Sequence, residues 1–223
     1  MERAKQEALE YIEQRSDLLF DMSDRIWEHP QVGFTEHYAA QLFSETLEKE
    51  GFTVERGVGD IPTSVVGTYG SGGPVIGFLG EFDALPGLSQ EAGLVEKKPL
   101  VKDGPGHGCG HNLLGTGAFA AALSLKHYLE VNHRPGTVKF FACPAEEGGS
   151  GKGFMARAGV FNGLDAAFTW HPGTVNEVGS MGDVAIMGAN FVFDGVAAHA
   201  GGEPHLGRSA LDACELMNVG CNY

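Results

Sequence analysis

Positive charge is scarce in this chain: 15 lysines and arginines stand against 29 aspartates and glutamates, a formal charge of −14 over 223 residues. No basic stripe is left for a phosphate backbone or an anionic membrane surface, so nucleic acid is not an expected partner. Long apolar runs are also missing. None approaches the ~20 residues of a membrane span, and the charged start Met-Glu-Arg-Ala-Lys-Gln-Glu-Ala lacks the apolar core of a signal peptide. The expectation is a soluble, cytoplasmic protein with no membrane partner. Cysteine is sparse, at positions 109, 143, 214 and 221 with no Cys-x-x-Cys pair, which argues against a disulfide framework or a zinc ribbon. There is no internal repeat or low-complexity segment. What is present, 43% hydrophobic residues, suffices for one large domain or one domain plus part of another.

Apolar periodicity sets the expected elements. Leu9, Ile12, Leu19, Met22 and Ile26 recur at helical spacing, and Pro30 should stop that helix because the residue before proline is pushed out of the helical region. A second helix is expected from about Glu36 to Glu50, closed by Gly51. The period then changes. Short runs rich in Val, Phe and Ile at 64–68, 74–79, 138–143 and 166–170 read as buried strands, with helices over roughly 113–129 and 154–161 between them. Strands alternating with helices predict an α/β sheet covered on both faces.

Three segments carry metal-ligating chemistry. His-Gly-Cys-Gly-His spans 107–111, Glu146-Glu147 follows the Phe140-Phe141 strand, and His171 follows the Phe168-Thr169-Trp170 strand. Thiolate, imidazole and carboxylate together can hold a borderline ion such as zinc, manganese or cobalt, since imidazole suits most first-row ions while the other two tune hardness in opposite directions. All three segments fall where open α/β sheets carry ligands, at the carboxyl ends of strands or the start of a helix. Each has a plainer reading taken singly: a buried filler cysteine, a solvated pair of glutamates, a hydrogen-bonded histidine. Their coincidence as one coherent donor set predicts a metal-dependent hydrolase.

Two other chemistries compete with this one. The run Glu147-Gly-Gly-Ser-Gly-Lys-Gly has the flavour of a phosphate-binding loop, but Glu146 stands where the leading glycine belongs and Gly153 where Ser or Thr belongs. A cysteine-nucleophile amidase is the stronger rival, with Cys109 activated by His107 or His111 to a depressed pKa. A non-catalytic remnant is a third reading.

Gly-Glu-Phe-Asp-Ala-Leu-Pro around Asp83, Gly-His-Gly-Cys-Gly-His-Asn, Pro-Ala-Glu-Glu-Gly-Gly, His171-Pro172 and Ala-His-Ala-Gly-Gly-Glu-Pro-His-Leu-Gly-Arg-Ser-Ala-Leu recur in combination in one family. On these motifs the chain resembles, nearly end to end, the amidohydrolase branch of the aminoacylase and carboxypeptidase G superfamily. The resemblance implies a three-layer α/β catalytic domain with a mixed central sheet, here residues 1–188, and an inserted α/β lid domain that forms a homodimer interface, begun at 189–223. It implies one or two divalent ions, manganese, zinc or cobalt, with Cys109, His111, Glu147 and His171 as ligands, Glu146 as general base and His107 as a non-ligand. Glu81 stands where other branches place a ligand histidine, and Asn112 replaces an aspartate common in related amidohydrolases. Substrates of this kind are N-acyl amino acids such as p-aminobenzoyl-glutamate, or dipeptides, and a second homologous subunit is an implied partner.

The lid is expected to begin with a Phe191-Val192-Phe193 strand, a turn carrying the substrate-binding His199, and a helix from Ser209, with Arg208 as a further anion contact. The resemblance also implies that family members continue for a comparable length and supply one further ligand histidine. These 223 residues alone are therefore expected to bind metal weakly and to show little amidase activity.

Overall fold

The computed structural model describes residues 2–179 and 185–223. Helices α1 (Glu2–Gln14) and α2 (Ser16–Glu28) replace the single helix that the apolar spacing predicts. The break lies at Arg15, whose ψ of 5° leaves the helical region, yet Ile12 and Leu19 still reach the same core, so the periodicity runs unbroken across the kink. Helix α3 (His37–Lys49) ends at Gly51, whose φ of 83° supplies the left-handed turn.

Five strands form one mixed sheet in the order β1 (Thr53–Arg56), β2 (Val65–Ser71), β4 (Gly136–Cys143), β3 (Val75–Glu81), β5 (Ala166–Phe168). Strand β3 runs parallel to both β4 and β5, while β2 is antiparallel to β1 and β4. The three parallel strands therefore end at the same edge, which brings together Glu81 to Asp83, Cys143 to Glu147 and the segment before His171. Helices α4 (His111–Val131) and α5 (Gly151–Arg157) complete this unit.

Strand alternation builds two cores from adjacent residues. Phe140 faces α2, α3 and α4 and packs with Phe43 and Phe119, whereas Phe141 faces the other way onto Phe161, Met155 and Ile61. The result is a three-layer arrangement, as expected. Both phenylalanines are fully buried. Phe140→Ala is expected to cost about 3–5 kcal/mol, because the α-side layers cannot collapse into the void; denaturant unfolding measures it.

Gly80 of β3 and Gly115 of α4 let helix and strand approach closely. A Cβ on Gly115 would sit 2.7 Å from the Glu81 carbonyl oxygen, and one on Gly80 would sit 3.0 Å from the Cα of Gly115. That approach sets the first residue of α4, His111, over the end of β3.

Two compact units separate at Val175 and Asn176. In the second, Ser209 caps α6 (Ala210–Cys221) by accepting the Asp212 N–H at 3.0 Å, which matches the expected helix start. Residues 191–193 form no strand, contrary to expectation. The pairing there is an isolated bridge between Val196 and Arg208; Phe191, Val192 and Phe193 have strand propensity but, among the described residues, no neighbouring strand to bond. Among the described residues no helix is long and apolar enough to cross a membrane.

Candidate metal centre

The turn before α4 is built by glycine. Gly110, at φ 79°, occupies the left-handed region immediately ahead of His111, so the chain reverses tightly and presents Cys109 and His111 on one side. His111 is fully buried, and its Nδ1 lies 3.1 Å from Asp83 Oδ1, which fixes the ring and turns Nε2 toward the strand ends. Asp83 Oδ2 accepts the Glu147 N–H at 2.8 Å, so one buried carboxylate orients both a histidine and the acidic loop.

Around His111 Nε2 gather Glu81 Oε2 at 3.2 Å, Glu146 Oε2 at 3.9 Å and Glu147 Oε1 at 3.9 Å. The Cys109 thiol lies 3.3 Å from His171 Nε2, and the two imidazoles of His111 and His171 meet edge to face with centroids 5.9 Å apart. Trp170 anchors the histidine beside it by donating its indole N–H to the Leu114 carbonyl at 3.1 Å. Cys109, His111, Glu146, Glu147 and His171 thus converge from three segments as the motifs suggest.

Charge and burial give this cluster its character. His111 Nε2, Glu81 Oε2 and Glu147 Oε1 are all buried without a hydrogen-bond partner. Three inward-facing electron-pair donors left bare in one place are costly unless a cation lies among them. That donor set fits one or two divalent ions. Burial, and then the Glu147 carboxylate beside it, push the Cys109 thiol up to about 11, so its proton leaves only when positive charge is supplied. Burial disfavours charge on Asp83, but hydrogen bonds from His111 and the Glu147 amide outweigh it and hold the carboxyl below its ordinary value. For His111 burial likewise opposes the charge, and Asp83, Glu81 and Glu147 prevail to raise it. Burial and the charge on Glu81 raise Glu146.

The paired glutamates differ in surroundings although they lie equally far from His111. Glu147 carries a fully buried, unpartnered oxygen, while Glu146 has 42% of its side chain exposed. His107, two residues before Cys109, turns away: it is buried with Nε2 3.1 Å from the Ile26 carbonyl, and burial lowers it to about 4. It neither joins the cluster nor reaches the thiol as a base. His199 lies in the second unit, where its Nδ1 accepts the Gly201 N–H at 3.1 Å. Beside Cys109 and His171 opens a cavity of about 830 Å³, lined by Trp27, Gln90, Leu94, Leu113 and Pro172 among others.

Sequence reasoning missed Glu36. A glutamate at a helix start reads as solvated, yet this one is fully buried; its Oε1 accepts the Ala145 N–H at 2.8 Å and its Oε2 accepts the Thr63 hydroxyl at 2.9 Å. Ala145 holds φ 54°, an uncommon conformation for a residue with a side chain, directly before Glu146. Glu36→Ala strands that buried N–H and is expected to cost about 1–3 kcal/mol, while Glu36→Gln keeps an acceptor and stays nearer wild type; thermal unfolding of both variants measures the difference.

Known proteins resemble this chain in sequence and in fold. The model of peptidase family M20/M25/M40 matches residues 77–213. One subunit of the p-aminobenzoyl-glutamate hydrolase of Escherichia coli is 51% identical over 203 residues, 91% of this chain and 42% of that protein. The mouse Xaa-Arg dipeptidase is 33% identical over 97% of this chain and 49% of its own length. A Bacillus subtilis structure described as a dinuclear metal-binding peptidase of the M20 family superimposes with a TM-score of 0.58 at 30% identity, covering 70% of this chain and 42% of that one. The chain spans less than half the length of each of these relatives. By the family match over residues 77–213 and the 51% identity to the Escherichia coli subunit, the chain belongs to peptidase family M20/M25/M40.

Proposed function

We propose that this chain supplies the catalytic half of a metal-dependent amidohydrolase that cleaves the amide bond of an N-acyl amino acid such as p-aminobenzoyl-glutamate. The observation that carries the reading is the set of bare, buried donors His111 Nε2 and Glu147 Oε1, with Cys109 and His171 3.3 Å apart beside them. Cys109, His111, Glu147 and His171 hold one or two divalent ions, and Asp83 orients His111 and Glu147. When bound, such an ion polarises the scissile carbonyl and lowers the pKa of water from 15.7 toward ~7. Glu146, with 42% of its side chain exposed, takes the proton from the attacking water as the new C–O bond forms. It then returns that proton to the amine nitrogen as the C–N bond breaks. The raised position of Glu146 suits a group that must both accept and release a proton.

The cysteine-nucleophile reading is disfavoured, because a thiol pushed up to about 11 and facing three carboxylates is a poor nucleophile near neutrality. The cavity beside Cys109 and His171 suits the acyl group, with Trp27 and Leu94 as apolar walls. We assign residues 1–188 to the catalytic portion and 189–223 to the start of a lid, with His199 as a substrate contact supplied from it. Pairing through the lid, with a second copy or with a homologous second subunit, and a cytoplasmic location complete the reading. A substrate panel of N-acyl glutamates, other N-acyl amino acids and Xaa-Arg dipeptides, run with manganese, zinc or cobalt on the chain together with the remaining half that the resemblance implies, tests it. Metal-dependent release of glutamate from p-aminobenzoyl-glutamate is expected. No metal-dependent cleavage of any member of the panel contradicts it.

A further inference from the structure

We propose that the loop of residues 86–105 selects the acyl group, favouring a bulky apolar one over a small or an acidic one, and that Gln90 is the positioning residue that gives this loop its shape. This rests on the metal-dependent reading above, with the acyl group in the cavity beside Cys109 and His171. The loop joins β3 to α4 and contains neither helix nor strand. A connection of that length inside a compact unit is uncommon and tends to carry function. Its neck is closed where Leu85 and Gly106 exchange both backbone hydrogen bonds, at 3.1 and 3.0 Å, and a Cβ on Gly106 would sit 2.0 Å from the Leu88 carbonyl oxygen. Asp83 lies just before that neck and Cys109 just after it. Both ends of the loop are thereby registered to the metal centre.

Polar bonds rather than a core hold the rest of the loop. Gln90 Oε1 accepts the Lys98 N–H at 2.9 Å, while its Nε2 donates to the carbonyls of Glu96 at 2.9 Å and Glu91 at 3.2 Å. One side chain thus satisfies three backbone groups of its own loop. The Glu91 N–H bonds in turn to the Lys98 carbonyl at 2.9 Å, and the strip 90–94 so fixed lines the cavity together with Trp27 of α2. The strip ends in Leu94, which is exposed. An acyl group that covers Leu94 and Trp27 takes apolar surface out of water in proportion to its own apolar area, so a ring gains and an acetyl group gains little. Charge narrows the choice further. Outside the metal centre the charged side chains on this wall are Asp24 and Glu91, and among the described residues no lysine or arginine lines it. An acidic acyl group would bring a carboxylate there with no cation to meet it.

The test measures kcat and KM for N-benzoyl-, N-acetyl- and N-succinyl-glutamate with metal added, on the chain together with the remaining half that the resemblance implies. Holding the glutamate constant isolates the acyl side. Wild type is expected to prefer benzoyl to acetyl by about 10-fold or more in kcat/KM, with succinyl the poorest of the three. Gln90→Ala releases three backbone groups and Leu94→Ala trims the wall itself; each should lower the benzoyl-to-acetyl ratio by about 10-fold, chiefly through a higher KM for the benzoyl substrate. General damage to the fold would lower both substrates in proportion and leave that ratio intact. Should Gln90→Ala fail to fold, Leu94→Ala, altered at an exposed side chain, carries the test. Metal-dependent cleavage with the wild-type ratio retained in Leu94→Ala, or with succinyl preferred to benzoyl in wild type, overturns the proposal and leaves the proposed function standing. No metal-dependent cleavage of any of the three sinks both.

Discussion

Glu146→Gln is expected to lower kcat by about 10²–10⁴-fold while leaving bound metal nearly unchanged. The amide keeps the size of the side chain but can neither take the proton from water nor hand it to the departing amine. Structural cost should be small, since Glu146 is the exposed member of the pair. Glu147→Gln is the contrasting variant. Its buried Oε1 has no protein partner, so weakening that donor should show first as lost metal and only then as lost turnover. Turnover and elemental content measured on both variants decide the assignment: a Glu146→Gln protein that loses its metal while Glu147→Gln keeps it would reverse the two roles.

Chelation is expected to abolish activity, with manganese or zinc restoring it. The same treatment should lower the melting temperature, because an ion that binds the folded state alone stabilises it by about 2.7 kcal/mol at a hundredfold excess over its Kd. The physical source is visible at the strand ends, where the carboxylates of Glu81, Glu146 and Glu147 face one another and His111. Their mutual repulsion returns when the cation leaves. A thiol enzyme would behave oppositely, surviving the chelator and dying on alkylation. Activity and thermal unfolding followed before chelation, after it and after metal is restored separate the two chemistries.

Much of the scaffold was readable from periodicity. The runs around Val65, Val75, Val138 and Ala166 become β2 to β5, and Ser209 caps α6 where expected. The apolar pattern concealed the break at Arg15, because both flanking helices address one core. Strand β1 was invisible for a different reason: Thr53–Arg56 is a four-residue edge strand in which Val54 alone turns from solvent, so its identity comes from pairing with β2. The converse error fell at Phe191–Phe193, where propensity was strong and no partner strand exists among the described residues.

The candidate site divides along similar lines. Cys109, His111, Glu146, Glu147 and His171 were legible because each ends a strand or opens a helix, and their side chains meet only if the strands are parallel, as they are. Glu36 and the inward role of Glu81 were not legible. Glu36 is 109 residues from the amide it holds, and no local spacing announces such a contact. Glu81 differs from a solvated strand-end carboxylate only in that Lys152 and His111 close around it.

X-ray absorption on the zinc-loaded protein reaches the shared cation most directly. A sulfur shell at about 2.3 Å together with nitrogen and oxygen at about 2.0–2.2 Å is expected, with the sulfur shell vanishing in Cys109→Ser. A zinc environment of oxygen and nitrogen alone in the wild type, unaltered by that substitution, would contradict a centre built from residues 109, 111, 147 and 171.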